Sequence, residues 1–130
     1  LDASFFAGSK GGEASEAADM IRNLPEKYPV ILLADRGYEN CNLFANAEER
    51  LFDYVVRIKD KDSTEILSGI NLPDTQEFDI EKRIVITRHS TGPAAVMPQT
   101  CKYLSKSARF DFIENSKSPD YEITIRFVRF

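Results

Sequence analysis

One aspartate in this sequence lies where α/β proteins commonly carry out chemistry. Asp35 comes directly after the apolar run Val30–Ala34, and a turn that contains Gly37 follows it. Ligands and catalytic groups of open α/β sheets collect at the carboxyl ends of buried strands. A carboxylate at that position can ligate a metal ion or cap a turn, and both alternatives are open on the pattern alone.

Two cations follow in a second apolar segment, Tyr54–Lys59, which the sequence predicts to be a strand. Arg57 and Lys59 are two residues apart, so they are expected on one face of that strand. Arginine favours two-pronged contacts with phosphate groups, but a solvated strand edge explains the same pattern equally well.

The residues around Asp35 predict a strand–helix–strand unit. Val30–Ala34 is a continuous apolar run, which is typical of a strand that is covered on both faces. Asn40 is a plausible N-cap for a helix that ends near Arg50, and two parallel strands joined by such a helix are expected to form a right-handed crossover. The residues expected to face inward from this helix are Cys41, Phe44, Ala45 and Leu51.

Two further elements are predicted before this unit. Leu1–Ala7 is β-capable, and Asp2 within it is expected to be a surface or strand-end carboxylate. A helix is predicted over Glu13–Leu24, because alanine, isoleucine and leucine recur at helical spacing and Pro25 follows.

After Asp62 the helical periodicity fades, and a small, mostly antiparallel β subdomain is predicted. Phe110 and Phe112 are expected to share a strand face in its core. The sequence therefore divides into residues 1–62 and residues 63–130. The predicted strands of the second part are Glu77–Ile80, Arg83–Arg88, Arg109–Glu114 and Tyr121–Phe130, the last with imperfect alternation of apolar residues.

Composition excludes several classes of protein. Hydrophobic residues make up 42% of the 130 residues, which argues against disorder, and no apolar stretch is long enough for a membrane span. The net charge is −4, with 8 basic and 12 acidic residues up to Asp62 and 9 of each after it, so autonomous nucleic-acid binding is not expected. Cys41 and Cys101 form no metal-binding motif and are predicted to be reduced thiols packed in the interior.

The stretch from Val30 to Asp62 resembles the DDE transposases of bacterial insertion sequences, the insertion-sequence-four group in particular. That family has a motif of the form (L/I)-ADRGY-E at its second catalytic aspartate, and Ala34–Glu39 reads ADRGYE here. The family continues with a helix that begins near N-x-F-A and a strand of the form Y-V-x-R-x-K, which Tyr54–Lys59 matches as YVVRIK. Ser63–Asp74 resembles the start of the β-rich insertion of this group.

The resemblance implies an α/β fold, namely part of a ribonuclease H-like mixed sheet with helices over residues 1–62, and a β-rich insertion over residues 63–130. It implies that Asp35 is catalytic and ligates Mg²⁺ or Mn²⁺ in the full-length protein, and that Arg57, Lys59 and Arg36 contact DNA. Double-stranded DNA at transposon ends, a homodimer on that DNA, no membrane, and a cytoplasmic, nucleoid-associated location in a bacterium follow from the same resemblance.

The family uses two aspartates and one glutamate, and only Asp35 has a counterpart here. The first aspartate is expected upstream of Leu1, and the glutamate, in a Y-x2-R-x3-E-x6-K helix, is expected beyond Phe130. The chain is therefore expected to be a piece of a longer protein and inactive alone, with no metal bound, because one carboxylate cannot hold a metal pair.

Two other hypotheses stay open. The chain is a decayed or domesticated remnant that folds and self-associates through open strands without any chemistry. Alternatively, it is an unrelated α/β phosphatase or nucleotide-binding domain, although the glycines between Gly8 and Gly12 fit neither the P-loop nor the G-x-G-x-x-G spacing.

Overall fold

The structure is a computed structural model that describes residues 12–59, 63, 65–91, 96–97, 99–114 and 120–130. The predicted strand Leu1–Ala7, with Asp2, lies outside the described residues. The described part is α/β, as predicted, and holds two α-helices and two small sheets, one of them mixed. The chain divides into two compact units, Leu1–Ile66 and Leu67–Phe130, close to the boundary expected from the sequence.

Two helices that pack on each other form the interior of the first unit. Helix α1 spans Glu13–Asn23, buries Ala18 and Ile21, and ends where Leu24 turns to an extended conformation before Pro25. Helix α2 spans Cys41–Glu49, and its residues 41–47 are all buried. Both helices were predicted, α1 from the spacing of its apolar residues and α2 from its Asn40 cap, and both predictions are confirmed.

Asn40 caps the amino terminus of α2 as the sequence predicted. Its side-chain Oδ1 accepts hydrogen bonds from the backbone N–H groups of Asn42, at 2.9 Å, and Leu43, at 3.2 Å. These N–H groups belong to the first helical turn and have no carbonyl partner inside the helix, so the cap satisfies them.

The prediction that Leu51 faces inward from α2 is wrong. Helix α2 ends at Glu49, and the backbone N–H groups of Leu51 and Phe52 bond back to the carbonyls of Glu48 and Ala47, both at 2.9 Å. This is a Schellman motif, which requires a left-handed residue just after the cap. Leu51 takes that conformation with φ 54°, and its side chain is 93% exposed.

We predict that Leu51→Gly stabilises the first unit by about 0.5–1 kcal/mol. Glycine adopts the left-handed conformation without the clash that a Cβ causes, and this gain exceeds the entropy that glycine adds to the unfolded chain. Little burial is lost, because the leucine side chain is exposed. Hydrogen exchange of α2 amides measures the change. Leu51→Ala is the control: it removes the apolar side chain but keeps the Cβ, so an equal gain with alanine would contradict the explanation.

Strands β1 (Ile31–Ala34) and β2 (Asp53–Val56) pair in parallel, with Ile31 opposite Asp53 and Ala34 opposite Val56. The predicted parallel unit is confirmed, but the prediction that β1 is covered on both faces is wrong. Ile31 is 65% exposed, Leu33 74% and Val55 64%. A continuous apolar run does not by itself report how many faces of a strand are covered.

The second unit contains a three-stranded sheet in the order β4-β3-β5. Strand β3 spans Phe78–Thr87 and joins two segments that the sequence predicted as separate strands. It pairs antiparallel with β5 (Tyr121–Arg129) and parallel with β4 (Cys101–Tyr103), a short strand that was not predicted. The sheet is therefore mixed, and nine of its twelve paired positions are antiparallel, in agreement with the predicted mostly antiparallel pairing.

The prediction of a strand over Arg109–Glu114 is wrong, because that segment is a turn without strand pairing. Its aromatic residues pack as a cluster instead. The ring of Phe110 lies edge-on to those of Phe112 and Tyr121, with centroids 5.9 and 5.4 Å apart. Phe110 is buried and belongs to the core of the second unit, as expected, whereas Phe112 is only half-buried.

Strand β5 has the alternation expected for a sheet with one covered face. Ile123, Ile125 and Phe127 are buried, and the residues between them are exposed. On the exposed face, Arg126 pairs with Asp79 of β3 through two hydrogen bonds, and Arg83 of β3 pairs with Glu122 at 2.9 Å.

Cys41 and Cys101 are both buried, as predicted, and neither forms a disulfide in the structure. Within the described residues, no helix is long and apolar enough to cross a membrane.

Candidate functional site

The carboxyl ends of β1 and β2 bring Asp35 and Arg57 together. Each residue follows directly after its strand, and Ala34 and Val56, which precede them, are opposite each other in the parallel register. The backbone N–H of Arg57 donates to the carbonyl of Ala34 at 3.0 Å, which extends the pairing by one residue. The separation of 22 residues along the chain is thus closed by the strand–helix–strand unit.

Asp35 and Arg57 form a two-pronged ion pair. Arg57 Nε donates to Asp35 Oδ1 at 2.8 Å, and Arg57 Nη2 donates to Asp35 Oδ2 at 2.9 Å. Each side chain is 64% exposed, so the pair lies at the surface, where water and salt screen it. Its fixed geometry arises from the planar guanidinium, which matches the spacing of the two carboxylate oxygens.

Asp35 also starts a short 3₁₀ helix, Arg36–Tyr38. Its Oδ1 accepts a hydrogen bond from the backbone N–H of Arg36 at 2.6 Å, and its carbonyl accepts one from the N–H of Tyr38 at 2.9 Å. The turn-forming alternative for Asp35 is therefore realised in the structure, together with the ion pair. The two roles do not exclude each other, because a carboxylate has several lone pairs.

The pKa of Asp35 lies below its ordinary value of 3.8. The hydrogen bonds from the Arg57 side chain lower it most, the backbone N–H of Arg36 lowers it further, and slight desolvation opposes them. The carboxylate is therefore ionised at neutral pH. The stability that the pair contributes is present above pH 3.8 and is lost as the pH falls through the lower pKa of the folded state.

We predict that Arg57→Met raises the pKa of Asp35 towards 3.8, because it removes the largest cause of the lowering. Titration of the Asp35 side-chain carboxyl carbon by NMR measures the change. Arg36→Met is the matched control, since it keeps the backbone N–H bond and should shift the pKa less. Equal shifts in the two variants would show that overall charge, and not the Arg57 contact, sets the pKa.

The other two predicted DNA-binding residues are placed differently from Arg57. Strand β2 ends at Val56, so Arg57 and Lys59 follow the strand, and both are exposed with the half-buried Ile58 between them. Arg36 is exposed as well, and its contact with Asp35 is made by the backbone.

The residues of this site do not fit a divalent metal ion in the conformation described. A carboxylate is the right ligand for Mg²⁺ or Mn²⁺, but both oxygens of Asp35 accept hydrogen bonds from Arg57. Among the described residues, no group of three histidine, cysteine, aspartate or glutamate side chains is arranged to hold a metal. A metal ion would have to compete with Arg57 for these oxygens.

Two further acids near this unit were not singled out as site residues from the sequence. Glu39 is only 7% exposed, and its Oε1 accepts a hydrogen bond from the hydroxyl of Ser63. Burial raises the pKa of Glu48 above 4.5, the nearby Glu49 raises it further, and a hydrogen bond from the Tyr54 hydroxyl at 3.1 Å opposes both. Glu39 is the last residue of the ADRGYE motif, and Glu48 follows the apolar residues of α2.

The chain has no match in the comparisons with known proteins. No family model, no curated protein and no solved structure matches it. An interpretation of Asp35 and Arg57 therefore depends on the residues themselves and on the geometry of the strands that carry them.

Proposed function

We propose that this chain is the central part of the catalytic domain of a DDE-type DNA transposase. Residues 1–62 would belong to a ribonuclease H-like core and residues 63–130 to its β-rich insertion. The parent protein would cleave and join DNA strands at transposon ends in a metal-dependent reaction, and the isolated chain would be inactive. The other two acids would come from parts of the parent protein that this sequence does not contain.

The position of Asp35 is the observation that carries the proposal. The ADRGYE motif lies across the end of β1, and the YVVRIK motif lies across the end of β2, which is the parallel neighbour of β1. Two motifs of one resembling stretch of sequence thus meet at the same end of one sheet. Carboxyl ends of adjacent parallel strands are where open α/β sheets bind ligands.

The uncovered side of β1 and β2 also supports the proposal. Ile31, Leu33 and Val55 are more than half exposed, whereas parallel strands are normally covered on both faces. Within the described residues this sheet has two strands, and three or more strands or packing against a helix are needed for independent stability. Both observations fit a unit that belongs to a larger sheet with further helices.

Arg57 has a definite part in this proposal. Its guanidinium holds the Asp35 carboxylate ionised and fixed in orientation. The same planar group binds phosphate in the same two-pronged manner, so Arg57 can exchange the carboxylate for a DNA phosphate when DNA binds. That exchange would free the Asp35 carboxylate to act as a metal ligand. Arg36 and Lys59, both exposed, would add positive charge at the same edge.

A cleavage assay of the parent protein tests the proposal. The purified parent, mixed with DNA that carries the transposon ends, should cut at those ends in Mg²⁺ or Mn²⁺ and not in excess chelator. The reading frame should also encode a strand aspartate before this segment and a Y-x2-R-x3-E-x6-K helix after it. A parent that lacks both acids, or that leaves end DNA intact with metal present, would overturn the proposal.

A decayed or domesticated module without catalysis is the second candidate function. The ion pair between Asp35 and Arg57 favours this candidate. A carboxylate that no longer binds a metal can remain paired with Arg57 at all times. The same assay separates the two candidates. A folded parent that binds no end DNA and does not cut it would support the module.

A further inference from the structure

Strand β5 occupies one end of the three-stranded sheet and has an open edge in the described part of the chain. It pairs with β3 over nine positions, from Arg129 opposite Phe78 to Tyr121 opposite Ile86. Alternate backbone N–H and C=O groups of such an edge strand point away from its neighbour and can pair with another strand. At the other end of the sheet, β4 spans only three residues and offers a much shorter edge.

The sequence of β5 carries charged residues but lacks the proline, glycine and lysine that often protect an edge strand. Residues 121–129 read YEITIRFVR and contain no proline, glycine or lysine. Long edge strands without these residues are templates for pairing with another chain. What selects the partner is the pattern of charges on the exposed face, which carries Glu122, Thr124 and Arg126 at successive positions.

This pattern is complementary to itself when two copies of β5 pair antiparallel about Thr124. When two copies of β5 pair about Thr124, Glu122 of each copy lies opposite Arg126 of the other. Pairing about Glu122 would oppose two glutamates, and pairing about Arg126 would oppose two arginines, both of which destabilise a sheet. On the other face, the Thr124 register sets Ile123 opposite Ile125 and Tyr121 opposite Phe127, so apolar side chains meet apolar side chains.

The ion pairs within each copy extend the complementarity across the interface. Arg126 is held by Asp79, and Glu122 is held by Arg83, all four on the exposed face. In the paired sheet, a row of alternating sign would run from Asp79 and Arg126 of one copy to Glu122 and Arg83 of the other. A row of this kind stabilises more than isolated surface pairs do.

We infer that β5 is a self-association surface, through which two copies of this chain form one continuous six-stranded sheet with a two-fold axis at Thr124. Such an interface is isologous, because each copy contributes the same residues. It requires neither DNA nor a metal, and it is independent of the proposed catalytic function.

Charge variants test both the surface and its register. The chain should sediment as a concentration-dependent dimer, and Glu122→Arg and Arg126→Glu should each be monomeric, because each variant opposes like charges. An equimolar mixture of the two variants should dimerise again, since both cross-strand pairs of the mixed dimer would then join an arginine to a glutamate. Glu49→Arg, the same charge change at an exposed position of helix α2, is the control and should dimerise normally. The inference would be overturned if the chain without substitutions is monomeric, or if the mixture of the two variants stays monomeric.

A cysteine pair tests the register without changing any charge, in case the charge variants unfold. Thr124 lies on the proposed axis, so Thr124→Cys should form a disulfide between two copies under mild oxidation, with Cα atoms at a cross-strand distance. Val128 is also exposed on the same strand, but it would lie opposite Asp120. Val128→Cys should therefore form far less of the disulfide between two copies. Equal cross-linking at both positions, or none at Thr124→Cys, would contradict this pairing.

Discussion

Asparagine at position 35 is expected to abolish cleavage of transposon-end DNA by the parent protein without unfolding it. Asparagine has nearly the same shape and keeps an oxygen for the N–H of Arg36, so the 3₁₀ helix after β1 should persist. It loses the negative charge that a divalent cation requires. The expected loss exceeds about 100-fold, because even residues that only support a metal ligand contribute about 10–100-fold.

Asp53→Asn is the matched control for this prediction. Asp53 lies at the amino end of β2, opposite Ile31, and is exposed, so the same charge change is made at the opposite end of the same sheet. Cleavage by this variant should be close to that of the unmodified protein. Full activity of Asp35→Asn, or an equal loss in both variants, would remove Asp35 from the reaction.

Much of the fold follows from local patterns in the sequence. Helix α1 was predicted by its apolar spacing, α2 by its Asn40 cap, and β5 by its alternation. Each of these features depends on residues that are close together in the sequence. The position of Asp35 at a strand end was available for the same reason, since it needs only an apolar run followed by a turn.

Other features depend on contacts that a local pattern does not contain. Strand β4 has three residues, too few for any periodicity, and exists because it pairs with β3. The alternation of Phe110 and Phe112 resembles a strand, but the rings are held by Tyr121 instead. The residue that pairs with Asp35 can be identified only when the register of β1 and β2 is known. That register places the side chain of Arg57, and not that of Arg36, against the carboxylate.

The contact between Asp35 and Arg57 differs from what the sequence predicts for the two residues. From the sequence alone, Asp35 and Arg57 were assigned to different ligands, a metal and a DNA phosphate. In the structure each occupies the other's binding atoms. A function that used the free Asp35 carboxylate and the free Arg57 guanidinium would first have to separate this pair.

Replacing Arg50 with methionine is expected to destabilise the first unit by about 2–3 kcal/mol. The guanidinium of Arg50 donates to the carbonyls of Arg22, at 3.2 Å, and Leu24, which are at the end of α1 and have no helical partner. It also pairs with Glu26 at 3.5 Å and covers the ring of Phe52. The Arg50 side chain, just after α2, thus supplies hydrogen-bond donors to two carbonyl groups at the end of α1.

The loss should be confined to the first unit, which provides an internal control. Hydrogen exchange of α1 and α2 amides should accelerate in Arg50→Met, while exchange of the β3 and β5 amides should not change. Arg50→Lys keeps the charge but lacks the forked geometry that reaches two carbonyls, so it should recover only part of the stability. Full recovery by lysine would mean that charge alone stabilises the helix end, and that the two hydrogen bonds contribute little.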